Sequence, residues 1–265
     1  MNACQDMGFV LHGLAWRETS LIVDVITRQY GRLGLIAKGA RRPRSALRGL
    51  LQPFQPLDLR WSGQSELRIL TAAEWVGGVP SLRGAALMPG FYINELIIRL
   101  LPREDAHPAL FDDYLETMRL LGQVADGDTT EFTEPVLRRF EANLLRELGV
   151  SPDFSRDMLD ASAVRSDGIY EVSPIAGVRR MGGRRARVEE PDAQPHPSAE
   201  AVQEVHGRTL LALAQAGGPI EDAVHALSDP EVASESKRLL RELLGHHLGD
   251  AGLHSRQVMR ELVRI

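Results

Sequence analysis

The chain has 265 residues, 43% of them hydrophobic and 25% charged, with a net charge of −5. That length supports one large or two modest cores, and the balance is that of a soluble globular protein, not of a basic coat protein for nucleic acid. Cys4 is the only cysteine, which excludes an intramolecular disulfide and a cysteine-based zinc cluster.

The N-terminus MNACQDMGFVLHG lacks the basic start and unbroken apolar core of a signal peptide. Its Cys4 falls in a stretch expected to fray. No run approaches the ~18 apolar residues of a membrane span, so a soluble, cytoplasmic protein with no membrane partner is expected.

Up to about residue 82 the chain reads as short strands separated by turns. GFVLHG (Gly8–Gly13), TSLIVDVITR (Thr19–Arg28), YGRLGLIAKG (Tyr30–Gly39), PFQPLDLRWSG (Pro53–Gly63) and ELRILTAAEWV (Glu66–Val76) are apolar, β-branched or alternating. Their regular spacing, with no long helical pattern between them, predicts a small β-barrel whose glycines mark sharp bends.

From Met88 the period becomes helical. PGFYINELIIRLL (Pro89–Leu101), PALFDDYLETMRLLGQ (Pro108–Gln123) and EPVLRRFEANLLRELG (Glu134–Gly149) are amphipathic, and Gly149 is a natural C-terminal stop. GRTLLALAQAG (Gly207–Gly217) and ESKRLLRELLGHHLG (Glu235–Gly249) repeat the pattern. Between about 151 and 200 the signal weakens: DGIYEVSP (Asp167–Pro174) fits a strand, and Gly177–Ser198 reads as an irregular loop rich in Gly, Pro and charge. The fold class is therefore α+β, a barrel over 1–82 and a helical domain over 83–265 with an irregular segment inside it.

The strongest chemical feature is a charge imbalance. The window from Arg28 to Arg48 holds seven basic residues (Arg28, Arg32, Lys38, Arg41, Arg42, Arg44 and Arg48) and no acid; subtracting them from the net −5 leaves about −12 for the rest. A basic run whose field is not cancelled nearby is a candidate phosphate-binding surface, against the competing reading of a solvated loop without a partner. Single-stranded nucleic acid also needs faces on which bases stack. Trp16, Tyr30, Phe54 and Trp61 are the candidates, with Phe54 and Trp61 also suited to the core.

Other patterns carry less. Gly31–Gly34 does not complete a dinucleotide fingerprint, and Lys38-Gly39 is in the wrong order for a phosphate loop. His246 and His247 point about 100° apart on a helix, so they and His254 read as surface residues and not as metal ligands. No nucleophile elbow occurs, and no catalytic residue, cofactor or metal is assigned. The acids between Arg103 and Glu134 (Glu104, Asp105, Asp112, Asp113, Glu116, Asp126, Asp128, Glu131 and Glu134) are what a metal-dependent nuclease would have to use, but they form no ligand motif. A protein-interaction scaffold without DNA binding is the third alternative.

The order of ETSLIVDVITRQYGRLGLIAKGAR, LQPF (Leu51–Phe54) and YINEL resembles the RecO family of recombination mediators. The likeness begins over Trp16–Trp61. It continues through Gly90–Ile97, LRRFEANLLRELG (Leu137–Gly149), GRTLLALA and SRQVMREL (Ser255–Leu262), and leaves out Ser155–His206. The resemblance implies an OB-fold and a helical domain that binds single- and double-stranded DNA, anneals complementary strands, and works with RecR and single-stranded DNA-binding protein (SSB) to load RecA near the nucleoid. It also suggests that the helical domain takes the acidic SSB tail, with Arg138 or Arg139 beside an apolar stripe of Leu137, Phe140, Leu144 and Leu148. Many members carry a four-cysteine zinc unit in the middle segment; Phe154–Arg187 here has no cysteine, and its Arg179, Arg180, Arg184, Arg185 and Arg187 either extend the DNA surface or form a solvated loop.

Overall fold

A computed structural model describes residues 3–124, 130–181, 203–249 and 252–255. Five strands, β1 (Ala3–Trp16), β2 (Ser20–Thr27), β3 (Gly31–Ala37), β4 (Pro56–Ser62) and β5 (Leu67–Trp75), close into a barrel in the order β1-β2-β3-β5-β4. Neighbours are antiparallel except β3 and β5, which pair in parallel through Gly34–Leu67, Leu35–Arg68 and Ile36–Ile69. This is the expected OB barrel. Alternation drives it, turning Val10, Val23, Val25, Leu33, Leu35, Leu57, Leu59 and Trp61 inward as a buried core.

β1 is longer than its sequence signal because it serves two neighbours, β4 through Ala3–Phe9 and β2 through Gly8–Trp16. Cys4 accordingly does not fray; it pairs with Trp61 in the ladder. At Gly8, where the two pairings overlap, a Cβ would lie 2.8 Å from the Ile26 carbonyl oxygen and 2.9 Å from Leu59, so only glycine fits. Leu11 is the extra residue of a bulge between Val10 and His12. Its carbonyl accepts from Asn94 Nδ2 at 2.9 Å, and the Tyr114 hydroxyl donates to Asn94 Oδ1 at 2.8 Å. Burial pushes the Tyr114 phenol pKa well up, so it remains a donor.

The helices are α1 (Leu47–Leu50), a short turn inside the β3–β4 loop, then α2 (Leu87–Leu100), α3 (Pro108–Gln123), α4 (Thr130–Glu147), α5 (Gly207–Ala214), α6 (Ile220–Leu227) and α7 (Pro230–Leu248). Among the described residues no helix is long and apolar enough to cross a membrane. The chain packs as two compact units, one holding the barrel, α2, α3, α4 up to Leu137 and residues 252–255, the other running from Arg138 to Gly249. In the first, Phe9 packs on Phe111 and Tyr114 with ring centroids 5.7 and 5.0 Å apart. Glu95 of α2 receives the amides of His254 and Ser255 at 2.8 Å each and the Ser255 hydroxyl at 2.6 Å. Burial raises the Glu95 pKa, but these hydrogen bonds and Arg99 outweigh it, and the net direction is down.

The second unit carries a sheet of β6 (Ile169–Ser173), β7 (Gly177–Arg180) and β8 (Gln203–His206) in the order β7-β6-β8. β6 falls where DGIYEVSP suggested. The segment expected to be irregular from Gly177 instead opens as β7, paired to β6 from Ser173–Gly177 to Tyr170–Arg180. Buried Asp157 organises the approach to this hairpin: Oδ1 accepts the Leu159 amide and Oδ2 the Arg180 amide, both at 2.7 Å. Asp153 and Asp160 close further turns by accepting the amides of Ser155 and Ser162 at 2.9 Å. α7 starts earlier than its apolar pattern, because Asp229 caps the amides of Glu231 and Val232 ahead of Pro230 at the first helical position.

Candidate nucleic-acid interface

The basic window does not stay together. Lys38, Arg41, Arg42, Arg44 and Arg48 lie exposed on the β3–β4 loop at one end of the barrel, whereas Arg28 and Arg32 sit by the β2–β3 turn at the other. β3 has 7 residues, which at about 3.3 Å each separate the two groups by roughly 20 Å. Arg28 forms a fork with Asp112, both bonds 2.8 Å, and this holds the Asp112 carboxyl below its usual range. Arg32 is largely buried, donates to the Ile98 carbonyl and faces Asp24 at 3.9 Å. Desolvation lowers its pKa. Both are engaged with acids of the first unit, Arg28 while still exposed, so five of the seven are exposed and, among the described residues, without an acid partner.

The five behave differently from these two. Among the described residues none of them enters an ion pair. Arg41 fixes the loop in place: its amide bonds the Thr19 carbonyl at 2.9 Å and its guanidinium the Arg17 carbonyl at 3.2 Å. The basic loop is thereby tied to the β1–β2 turn, and Arg17 of that turn, which the sequence pattern did not single out, joins the same exposed edge.

Of the four candidate stackers, Trp61 and Phe54 are core residues. Tyr30 stands edge-on to Trp61, 5.2 Å between centroids, at the far end with Arg28. Trp16 alone lies at the basic end, and it is exposed. The outer face beside it bears an apolar row: Leu14 pairs with Ile22, Ile22 with Ile36, and Ile36 with Ile69. On the other side of this row the face is covered. Arg103, from the α2–α3 connection, lies over Gly34, where a Cβ would come within 3.2 Å of its guanidinium, and pairs with Asp24 at 3.2 Å and Glu66 at 3.3 Å.

Arg138 and Arg139 were expected beside an apolar groove. Instead they are only 5% and 8% exposed, and Arg138 pairs at 3.1 Å with the fully buried Glu141. The stripe of Leu137, Phe140, Leu144 and the turns around it is itself core. Most described acids between Arg103 and Glu134 are already engaged: Glu104 with Arg68, Asp105 with His107, Asp112 with Arg28 and Glu116 with Arg119. Asp113 is buried, while Asp126 and Asp128 and the side chain of Glu131 lie outside the described residues. Among the described residues no group of three or more His, Cys, Asp or Glu is placed to hold a metal. The family's zinc unit does not fit: Cys4 is in the barrel, and among the described residues of the middle segment Asp153, Asp157 and Asp160 accept backbone amides. Arg179 and Arg180 are exposed on β7; Arg184, Arg185 and Arg187 lie outside the described residues.

Residues 1–79 match the family model described as recombination protein O N terminal, and residues 83–257 match recombination protein O C terminal. The chain is similar to the DNA repair protein RecO of Polynucleobacter necessarius, 43% identical over 265 residues, which is 100% of this chain and 99% of that one. It is similar to those of Azoarcus sp. (45%, covering 98% of this chain and 97% of that one) and Burkholderia pseudomallei (45%, covering 96% and 82%). With an OB barrel ahead of helices and both family models matched along nearly the whole chain, this protein belongs to the RecO family of DNA repair proteins.

Proposed function

We propose that the chain is a recombination mediator and not an enzyme: it binds single- and double-stranded DNA, anneals complementary strands and, with RecR, helps load RecA onto SSB-coated DNA. The observation that carries this reading is the cluster of Lys38, Arg41, Arg42, Arg44 and Arg48, exposed and without ion pairs among the described residues, on one loop of an OB barrel. Five cations held on a loop can neutralise phosphates of two strands, release their counterions and lower the repulsion that opposes annealing. Such work needs no bond-making step. Membership in a family of DNA repair proteins supports a cytoplasmic, nucleoid-associated role, with RecR and SSB as protein partners.

For the SSB tail, Arg138 and Arg139 remain the proposed contacts on new terms. Since Arg138 is engaged with buried Glu141, a tail carboxylate would have to compete with Glu141 for it. The deciding experiment is annealing of complementary labelled strands, with and without SSB and with Mg²⁺ present. Faster annealing with the strands intact is expected; cleavage of the labelled DNA would move the protein to the nuclease reading, and no salt-dependent binding at all would leave a scaffold.

A further inference from the structure

A phosphate-binding loop does not by itself distinguish one strand from two, and the surface next to it carries a second feature. Leu14, Ile22, Ile36 and Ile69 are register partners across four adjacent strands, all on the outer face, since Val23, Leu35 and Leu70 beside them point into the core. Three strand spacings of about 4.8 Å make the row roughly 14 Å long. Leu14 is 58% exposed, Ile69 37%, and Trp16, two residues further along β1 on the same face, 42%. A continuous apolar row with an aromatic ring at its end is not the solvated face that an antiparallel barrel ordinarily turns to water.

Its surroundings indicate the occupant. On one side Arg103 and its partners Asp24 and Glu66 close the face. On the other, Trp16 leads into the β1–β2 turn, to which Arg41 bonds through Thr19 and Arg17, and Lys38 follows directly on the end of β3. An anionic polymer with flat apolar faces meets both conditions, with phosphates on the cationic edge and bases on the row. A purely apolar partner helix would leave the cations unused. We propose that Trp16, Leu14, Ile22, Ile36 and Ile69 form a base platform that selects single-stranded over double-stranded nucleic acid. This rests on the reading of the basic loop as a phosphate site. In a duplex the bases are already stacked and paired, so only the loop is engaged; an open strand engages loop and row together.

The test compares a thymidine oligonucleotide, an abasic strand of the same length and a duplex, by fluorescence anisotropy over a salt series. Trp16→Ala and the double variant Leu14→Ser/Ile69→Thr alter exposed side chains, and unchanged circular dichroism verifies their fold. The wild type is expected to bind thymidine about tenfold more tightly than the abasic strand. Either variant should erase most of that difference while leaving duplex affinity and the salt slope unchanged. Equal binding of the thymidine and abasic strands by the wild type would overturn the platform and leave the phosphate loop standing. Variants that keep the full preference for bases would also overturn it, and would assign the row to a protein partner. Absence of salt-dependent binding to all three ligands would instead defeat the underlying DNA-binding reading, and the platform with it.

Discussion

Arg41 donates from its guanidinium to the Arg17 carbonyl at 3.2 Å, and this bond, with the Arg41 amide on Thr19 at 2.9 Å, joins two loops of the barrel into one cationic edge. The loop is therefore held in position without consuming the charge. An arginine bonded to a neutral carbonyl keeps its full attraction for a phosphate, unlike Arg28, whose charge is spent on Asp112.

From this division a salt experiment follows. Changing Arg41 and Arg42 together to Ala should flatten the log–log salt dependence of single-strand binding by roughly one to two units, at about 0.7 per phosphate contact. Arg28→Ala should leave the slope unchanged. Equal flattening by both variants would mean that the Arg28–Asp112 fork opens to bind DNA.

At Glu95 the sign of a pH effect can be stated. Its folded pKa is lowered, so it contributes stability that is fully present above the unfolded value of about 4.3 and is lost as pH falls through the folded value. Glu95→Gln should remove this acid sensitivity and speed hydrogen exchange at His254 and Ser255, whose amides it holds. Exchange at these two amides that is indifferent to the substitution would show that the carboxylate does not anchor them.

Asp157 holds two backbone amides of the middle segment, those of Leu159 and Arg180. Replacing it with Ala removes a buried acceptor of two amides and should cost about 3 kcal/mol, read from urea midpoints. Asp157→Asn keeps one acceptor oxygen and should lose less. Chelator should leave the midpoints of wild type and variants where they are, and a chelator-sensitive wild type would refute a metal-free segment.

Glu141 offers the way to examine the tail contact. If a tail carboxylate competes with Glu141 for Arg138, then Glu141→Gln should tighten binding of a labelled SSB-tail peptide by about threefold to tenfold. Arg138→Glu would place a second carboxylate beside a fully buried one, and a thermal unfolding loss of about 3 kcal/mol is expected whether or not the tail binds there. Weaker or unaltered peptide binding by a folded Glu141→Gln protein would remove Arg138 from the tail site.

Periodicity by itself determined the barrel-then-helices order, because alternation and helical spacing are local properties set by which face of each element is buried. It located all five barrel strands, and the resemblance in YINEL and LQPF implied the family. It missed α6, and also the early start of α7, which depends on the Asp229 cap and not on apolar spacing. What only the tertiary structure decided was which charges are available. Arg28, Arg32 and Arg138 look like Arg41 and Arg42 in sequence, yet their partners Asp112, Asp24 and Glu141 become neighbours only through folding. The apolar row was likewise out of reach, since Leu14, Ile22, Ile36 and Ile69 come from four strands and meet only through the register of the closed barrel. Charge pairing and cross-strand register act between residues distant in the chain, and a linear pattern carries neither.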